Sequence, residues 1–336
     1  MLKPKYLLTN KILNNLREIE RFYGNLEAKQ IPKSLLLNLE KNNLIQSSYA
    51  SNSIEGNPLS KIEVTNLLLN ERVPVNRDEK EIVNYYSILK NLNTYVGKKL
   101  SLDSIISIHS KLMSGVNDKI KGQIRNNKVV VGMRLPNGKL IIKHDPPFHK
   151  KTKIKKAVQK LTDWLDLSQE QPILKAGIFH HEFVYIHPFS DGNGRTCRLL
   201  TALIFLKYQY QINKYFVLDD YYDIDRELYS TSLNKADKGD KTSWLEYFTD
   251  GVKYSLQSAL GKIESGLSHL QFELRPTARE QEVLNLIQKY QHLTSNNLVN
   301  EIKISRQQAH KLLKSLVEKG LLKKQGSTKN SYYKLN

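Results

Sequence analysis

The chain has 336 residues, of which 40% are hydrophobic, and a single cysteine, Cys197. That length allows two or three domains, one cysteine excludes an internal disulfide, no apolar run approaches a membrane span, and residues 1–10 lack the apolar stretch of a secretory signal, all of which predicts a cytoplasmic protein. The formal net charge of +19 favours polyanions, from ATP to nucleic acid, without choosing among them.

In chain order, residues from about Thr9 to Asn70 read as several helices, with Ile12, Leu13, Leu16 and Ile19 and then Leu35, Leu36 and Leu37 at helical spacing. Pro32 stands at a helix start. In the run from Ser47 to Asn57, Ser51 reads as a cap and Gly56 as a terminator, so local chemistry predicts a short capped helix with an exposed Glu55. Helical patterns follow over Glu79–Leu92 and Leu102–Leu112. The pattern then changes. Residues from Lys128 to His144 place β-branched runs on both sides of Asn137-Gly138, the strongest short-range hairpin signal. Asp145-Pro146-Pro147 ends that region, because proline cannot donate to a ladder. Helices resume over Ile154–Leu165 and Ala176–Ile186.

The next twelve residues read His187-Pro-Phe-Ser-Asp191-Gly192-Asn193-Gly194-Arg195-Thr-Cys-Arg198 and lead into a further apolar helix, Leu199–Tyr208. A loop that opens a helix offers free N–H groups and a positive dipole end to an anion. Gly192 and Gly194 permit close approach of a ligand, and Arg195 and Arg198 share a helix face. Histidine accepts a proton near neutral pH, a carboxylate suits Mg²⁺, and guanidinium forks match phosphate. Other phosphate motifs fail: there is no G-x-x-x-x-G-K-[ST], and Cys197 stands where a dinucleotide fingerprint needs glycine or alanine. A zinc-protease helix fails too, since Tyr185 follows His181-Glu182 where a second histidine is required. His180 and His181 therefore read as structural.

The loop carries the full His-Pro-Phe-x-Asp-Gly-Asn-Gly-Arg-x-x-Arg signature, and in this the chain resembles the Fic family, whose usual activity is protein adenylylation. The resemblance implies a mainly α fold, a Fido-type helical core with a β-hairpin flap. It implies that His187 takes the proton of a Ser, Thr or Tyr hydroxyl on a target protein, which attacks the α-phosphorus of ATP. Asp191 would hold Mg²⁺. Asn193 and the backbone from Gly192 through Gly194 to Arg195 would bind the α- and β-phosphates, and Arg198 the γ-phosphate. The upstream Ser51, Glu55 and Gly56 resemble the family's inhibitory pattern, in which Glu55 would pair bidentately with Arg198 and spoil the ATP pose. Val130, Val131 and Gly132 would form the flap edge that clamps the target. Tyr229, in the tyrosine-rich stretch from Tyr221, is the candidate wall for adenine. Trp244 to Phe248 resembles the closing core helix. Dimerisation often controls the inhibitory helix in this family, so a homodimer is in view.

Near Arg275-Pro276-Thr277 the register resets. Thr277 and Glu280 form a capping-box pattern, helices follow over Arg279–Tyr290, Ser295–Ile302 and Ser305–Glu318, and two short strands flank a turn at Gln325–Asn330. This order predicts a winged helix-turn-helix. Residues 275–336 hold 12 Lys/Arg and 4 Asp/Glu, 12 − 4 = +8, so DNA is a candidate partner. Ser305, Arg306, Gln307 and Gln308 would open the recognition helix, with Lys323, Lys324 and Lys329 on the wing. The expected organisation is an N-terminal helical region over 1–98 with the inhibitory motif, a catalytic core over 99–262, and the winged helix over 275–336. Two alternatives stand beside the adenylyltransferase: a DNA-binding regulator whose core only senses nucleotide, and transfer of another group such as UMP or phosphocholine.

Overall fold

The computed structural model describes residues 2–134, 140–274, 276–326 and 331–335. The Asn137-Gly138 turn, Lys329, and the end residues Arg275 and Asn336 lie outside the described residues. The chain is mainly helical and forms two compact units, Met1–Ile263 and Glu264–Asn336. The expected 1–98 region packs within the first unit. Among the described residues, no helix is long and apolar enough to cross a membrane.

In the first unit the helices are α1 (Asn10–Ala28), α2 (Lys33–Ile54), α3 (Lys61–Leu69), α4 (Arg77–Lys90) and α5 (Leu102–Leu112). Side-chain caps start four of them: Thr9 on α1, Ser60 on α3, Asn76 on α4 and Ser101 on α5 each accept a backbone N–H. Strands β1 (Val131–Arg134) and β2 (Leu140–His144) pair antiparallel, with an irregularity between Val131 and Gly132. Then come α6 (Lys151–Leu167), α7 (Pro172–Ile186), α8 (Asn193–Lys207), α9 (Asp219–Ile224), α10 (Arg226–Ala236) and α11 (Thr242–Leu274), whose residues from Glu264 on belong to the second unit.

The centre of the unit is the α7–α8 pair. Both helices are buried nearly all round, covered on every side. Gly177 gives α11 room to approach: a methyl there would lie 2.9 Å from Leu245 Cδ2 and Phe248 Cδ1. The Trp244 indole N–H donates to the Gly177 carbonyl at 2.7 Å, so Trp244–Phe248 is packing.

One element differs from expectation. Ser51 lies in the last turn of the 22-residue α2, not at the start of a short helix. The periodicity of α2 is masked because its buried face is largely polar, including Asn43, Ser47, Ser48, Ser51 and Asn52. These side chains are satisfied inside the fold: Ser48 donates to the Leu44 carbonyl at 2.7 Å and Asn52 to the Ser48 carbonyl at 2.8 Å. The tyrosine-rich stretch is not one helix. It breaks at Asp225, which leaves helical geometry and caps α10 through the Leu228 N–H at 2.8 Å.

The second unit holds α12 (Ala278–Tyr290), α13 (Ser295–Ile302), α14 (Arg306–Glu318), β3 (Leu322–Gln325) and β4 (Tyr332–Leu335). Reciprocal capping boxes begin all three helices, at Thr277/Glu280, Thr294/Asn297 and Ser305/Gln308. β3 and β4 pair antiparallel from Leu322↔Leu335 to Gln325↔Tyr332, and Leu293 adds a bridge to Tyr333. Val283, Ile287, Leu298, Leu313 and Leu316 form the core of this unit.

Candidate active site

α7 stops where Pro188 follows, because the residue before proline avoids the helical region. His187 takes the left-handed conformation, φ 51° and ψ 63°, and its N–H still bonds the Phe183 carbonyl. Arg125 fixes the turn from behind: Nε donates to the His187 carbonyl at 2.6 Å and Nη2 to the Ile186 carbonyl at 3.2 Å. Asn193 closes the loop, accepting the Phe189 N–H at 2.9 Å and donating to the Phe189 carbonyl at 2.8 Å. Its side chain is thus turned under the loop. His109 stacks on Phe189 at 3.6 Å, accepts the Gly122 N–H at Nδ1 and donates from Nε2 to the Asp191 carbonyl, each at 3.0 Å. Burial pushes its pKa down to about 4, so the ring is a neutral strut.

Gly192 caps α8 with φ 73°, a region closed to most side chains. Gly194 follows in the first turn, and the Glu55 carboxylate rests on it: a methyl at Gly194 would overlap Glu55 Oε1. A carboxylate therefore occupies the helix N-terminus where unpaired N–H groups gather.

Glu55 also accepts from Arg198 Nη2 at 2.7 Å. The pair is a single bond rather than the expected fork, because the same Nη2 also donates to the Ser51 carbonyl at 2.8 Å and Nε to Ser51 Oγ at 2.7 Å. Burial alone would raise the Glu55 pKa; Arg198 and Arg195 outweigh it and hold the carboxyl below its ordinary value. Asp219 Oδ1 lies 3.6 Å from Arg198 Nε, and Asp219 accepts from Ser47 of α2. Burial lifts Asp219 to about 6. Arg195 points elsewhere, to Glu81 at 3.0 Å, Asn52 at 3.4 Å and Asp191 at 3.7 Å. Asp191 itself is 40% exposed and also faces Arg77 at 3.4 Å.

A cavity of about 360 Å³ opens beside this cluster, lined by His187, Glu55, Gly194, Arg198, Val131 and Tyr229, among others. His187 Nδ1 meets the Val184 carbonyl at 3.3 Å, which assigns the proton to Nδ1 and leaves Nε2 as acceptor. Burial, then the neighbouring His144, lowers its pKa to about 4. Tyr229 is buried, stacks on Tyr222 at 4.5 Å, and its hydroxyl meets His180 Nε2 at 2.7 Å. His180 in turn donates from Nδ1 to Thr201 at 2.9 Å, since Thr201 gives its own proton to the Cys197 carbonyl.

The structure thus brings His187, Gly194, Arg198, Glu55, Val131 and Tyr229 to one cavity, while the Asn193, Arg195 and Asp191 side chains do not line it. Val130 and Gly132 flank Val131 in the hairpin region. The second unit carries Ser305 as the cap of α14, Arg306 bonded to Asn296 at 3.0 Å, and exposed Lys323 and Lys324 on β3. Gln307, Lys311, Lys314 and Lys324 line one groove there. Sequence reasoning missed Asp219, Glu81, Asn52, His109 and Arg125. Only Asn52, inside the quoted inhibitory run, left a local signal; the others arrive by tertiary packing.

Residues 99–205 match the model of the Fic/DOC family. The chain is 29% identical over 215 residues to "Protein adenylyltransferase Fic" of Nematostella vectensis, covering 60% of this chain and 45% of that one. It is 29% identical over 247 residues to the protein of the same name from Aedes aegypti, covering 68% and 44%. The chain spans about half the length of these curated relatives. Its fold is similar to a crystal structure of a Fic family protein from Desulfovibrio desulfuricans, with TM-score 0.69 and 24% identity, covering 100% of this chain and 98% of that one. It is also similar to Fic-1 of C. elegans, with TM-score 0.62 and 23% identity, covering 76% and 73%.

Proposed function

The chain is a Fic-family protein, and on that footing we propose that it is a protein adenylyltransferase, moving AMP from ATP to a hydroxyl side chain of a target protein. The observation that carries this reading is the seat of the Glu55 carboxylate. An anion already rests on the first turn of α8, against Gly194 and Arg198, in the cavity that His187 lines. A place that holds a carboxylate in that way suits a phosphate oxygen.

In this reading the N–H groups from Gly192 to Arg195 and the Arg198 guanidinium hold the triphosphate. The target hydroxyl enters between the hairpin and His187. Nε2 of His187 takes its proton as the oxygen attacks the α-phosphorus, and the bond to the bridging oxygen breaks, releasing pyrophosphate. Among the described residues no group of three or more acidic, His or Cys side chains could hold a metal by itself. One carboxylate, Asp191, 40% exposed, is the group that would hold Mg²⁺ together with phosphate oxygens and water. Bound there, Mg²⁺ would neutralise charge on the leaving pyrophosphate. Glu55 is the built-in inhibitor, since the triphosphate and the carboxylate compete for Arg198.

Labelled ATP tests the assignment: wild type should label itself or a target, and His187→Ala should not. Equal labelling of both proteins rejects it. Labelled UTP in parallel checks the base, which the phosphate grip does not specify.

We read the second unit as a winged helix that binds DNA, because α14 and β3 present Gln307, Lys311, Lys314 and Lys324 to one groove. DNA binding by the full chain should weaken with salt, and Lys323→Ala with Lys324→Ala should reduce the salt slope by about 2. Binding that ignores salt would point to a protein partner instead.

A further inference from the structure

One cluster in the active-site cavity takes no part in the chemistry above. His144 ends β2, and both nitrogens of its buried ring face acceptors: Nδ1 lies 2.7 Å from Asp237 Oδ2 and Nε2 lies 3.0 Å from the Tyr185 carbonyl. A neutral imidazole has only one N–H, so both bonds are made only if a second proton sits on the ring or on Asp237. The surroundings of Asp237 decide between them. Its other oxygen faces His181 Nε2 at 3.0 Å, and His181 Nδ1 faces the Lys241 ammonium at 3.0 Å. The ammonium can only donate, so Nδ1 of His181 accepts and Nε2 carries the proton given to Asp237. Lys241 is itself paired with Glu182 at 2.7 Å. Asp237 thus receives an N–H from each side, the setting of a carboxylate. Burial would raise its pKa, but the bonds from His144 and His181 outweigh it and the pKa is lowered.

We propose that His144 is a positioning residue for the transfer: held as an imidazolium between Asp237 and the Tyr185 carbonyl, it ties the β-hairpin to the cavity wall built by α7 and α10, and keeps a positive charge beside His187. The rings of His144 and His187 are 6.1 Å apart, centroid to centroid. The inference rests on the reading of His187 as the base. The other charged groups acting on His187 are Glu55 at the end of α2, which favours its protonation, and Arg125 behind the loop, which opposes it. Those acting on His144 are Asp237, the adjoining Asp145 and His187, with Tyr185 at 5.7 Å and Lys143 lining the same cavity. The consequence is twofold. The strand that frames the target has a fixed end point next to the base. The base also stays unprotonated, with Nε2 open, because protonating it would place two cations side by side.

The first test needs no activity. In the full chain with ¹⁵N-labelled histidine, one of the nine rings should carry a proton on each nitrogen, the state that two acceptors demand. That signal should vanish in His144→Gln and become a neutral ring in Asp237→Asn. Nine neutral rings in the wild type, or survival of the signal in His144→Gln, overturns the proposal. The second test uses the pH dependence of labelled-AMP transfer in a Glu55→Gly background. There His144→Gln should move the acid limb up by about 1–2 pH units, the effect of one charge at this separation for an effective dielectric of about 20–40. An unmoved limb overturns the charge role. If the Glu55→Gly parent transfers nothing, the adenylyltransferase reading fails, while the ring signal still decides the state of His144.

Discussion

Replacing Glu55 by glycine removes the anion that rests on the first turn of α8 and frees the Arg198 Nη2 contact, now 2.7 Å long. A hydrogen bond between charged partners is worth about 1.5–3 kcal/mol. The Glu55 side chain is 34% exposed, so solvent screening reduces this to about 1–2 kcal/mol. ATP must displace the contact to use the same groups, so Glu55→Gly should bind ATP about 5–30 times more tightly. Titration calorimetry reads the affinity, and labelled ATP reads a parallel gain in self-modification. Glu55→Gln separates charge from bulk. The amide keeps its volume over Gly194 but loses the ion pair, so it should fall between wild type and Glu55→Gly. If Glu55→Gly matches wild type in both affinity and labelling, with an unchanged melting temperature, the carboxylate is not what keeps phosphate out.

Three further outcomes follow from the geometry. Gly194→Ala in the Glu55→Gly background should weaken ATP binding at least about tenfold by calorimetry, because the methyl takes the space next to the α8 amides where a phosphate would sit. His109, His180, His181 and His187 are all held below the ordinary value of 6.5, burial being the first cause in each. Such groups accept protons more readily when unfolded, so their stabilisation is full above pH 6.5 and is lost as pH falls towards their folded values, about 4 for His109 and His187. Urea midpoints should fall steadily over that window, with His109 alone contributing on the order of 3 kcal/mol, and a flat profile would contradict the burial of these rings. Trp244→Phe should cost about 2–4 kcal/mol in calorimetric unfolding, since it removes buried volume and the indole bond to the Gly177 carbonyl.

The parts of the fold that were legible in the sequence are those set by local chemistry. α5 and α13 have their expected limits, and α12 starts from the Thr277/Glu280 capping box that marks it. The His187–Arg198 loop was legible because a ring, a carboxylate, two glycines and two guanidiniums stand in consecutive turns. The polar helix α2 was not, because the reason for its serines lies far away in the chain. Ser51 serves Arg198, and Ser47 serves Asp219. Asp237 was silent for the same cause: an aspartate at the end of an ordinary helix gains meaning only when His144 and His181 are folded against it. The break at Asp225 was hidden by tyrosines that pack from both sides of it.

Cys197, the only thiol of the chain, lies wholly inside the α7–α8 pair, its Sγ 3.3 Å from the His180 carbonyl, and burial raises its pKa. A thiol so placed reacts with a soluble disulfide reagent only when the two helices part. The rate of its modification therefore clocks the opening of the pair that carries His187 and Arg198, with no label engineered in. Any ligand that binds across those helices should slow the clock, whether or not it is ever turned over.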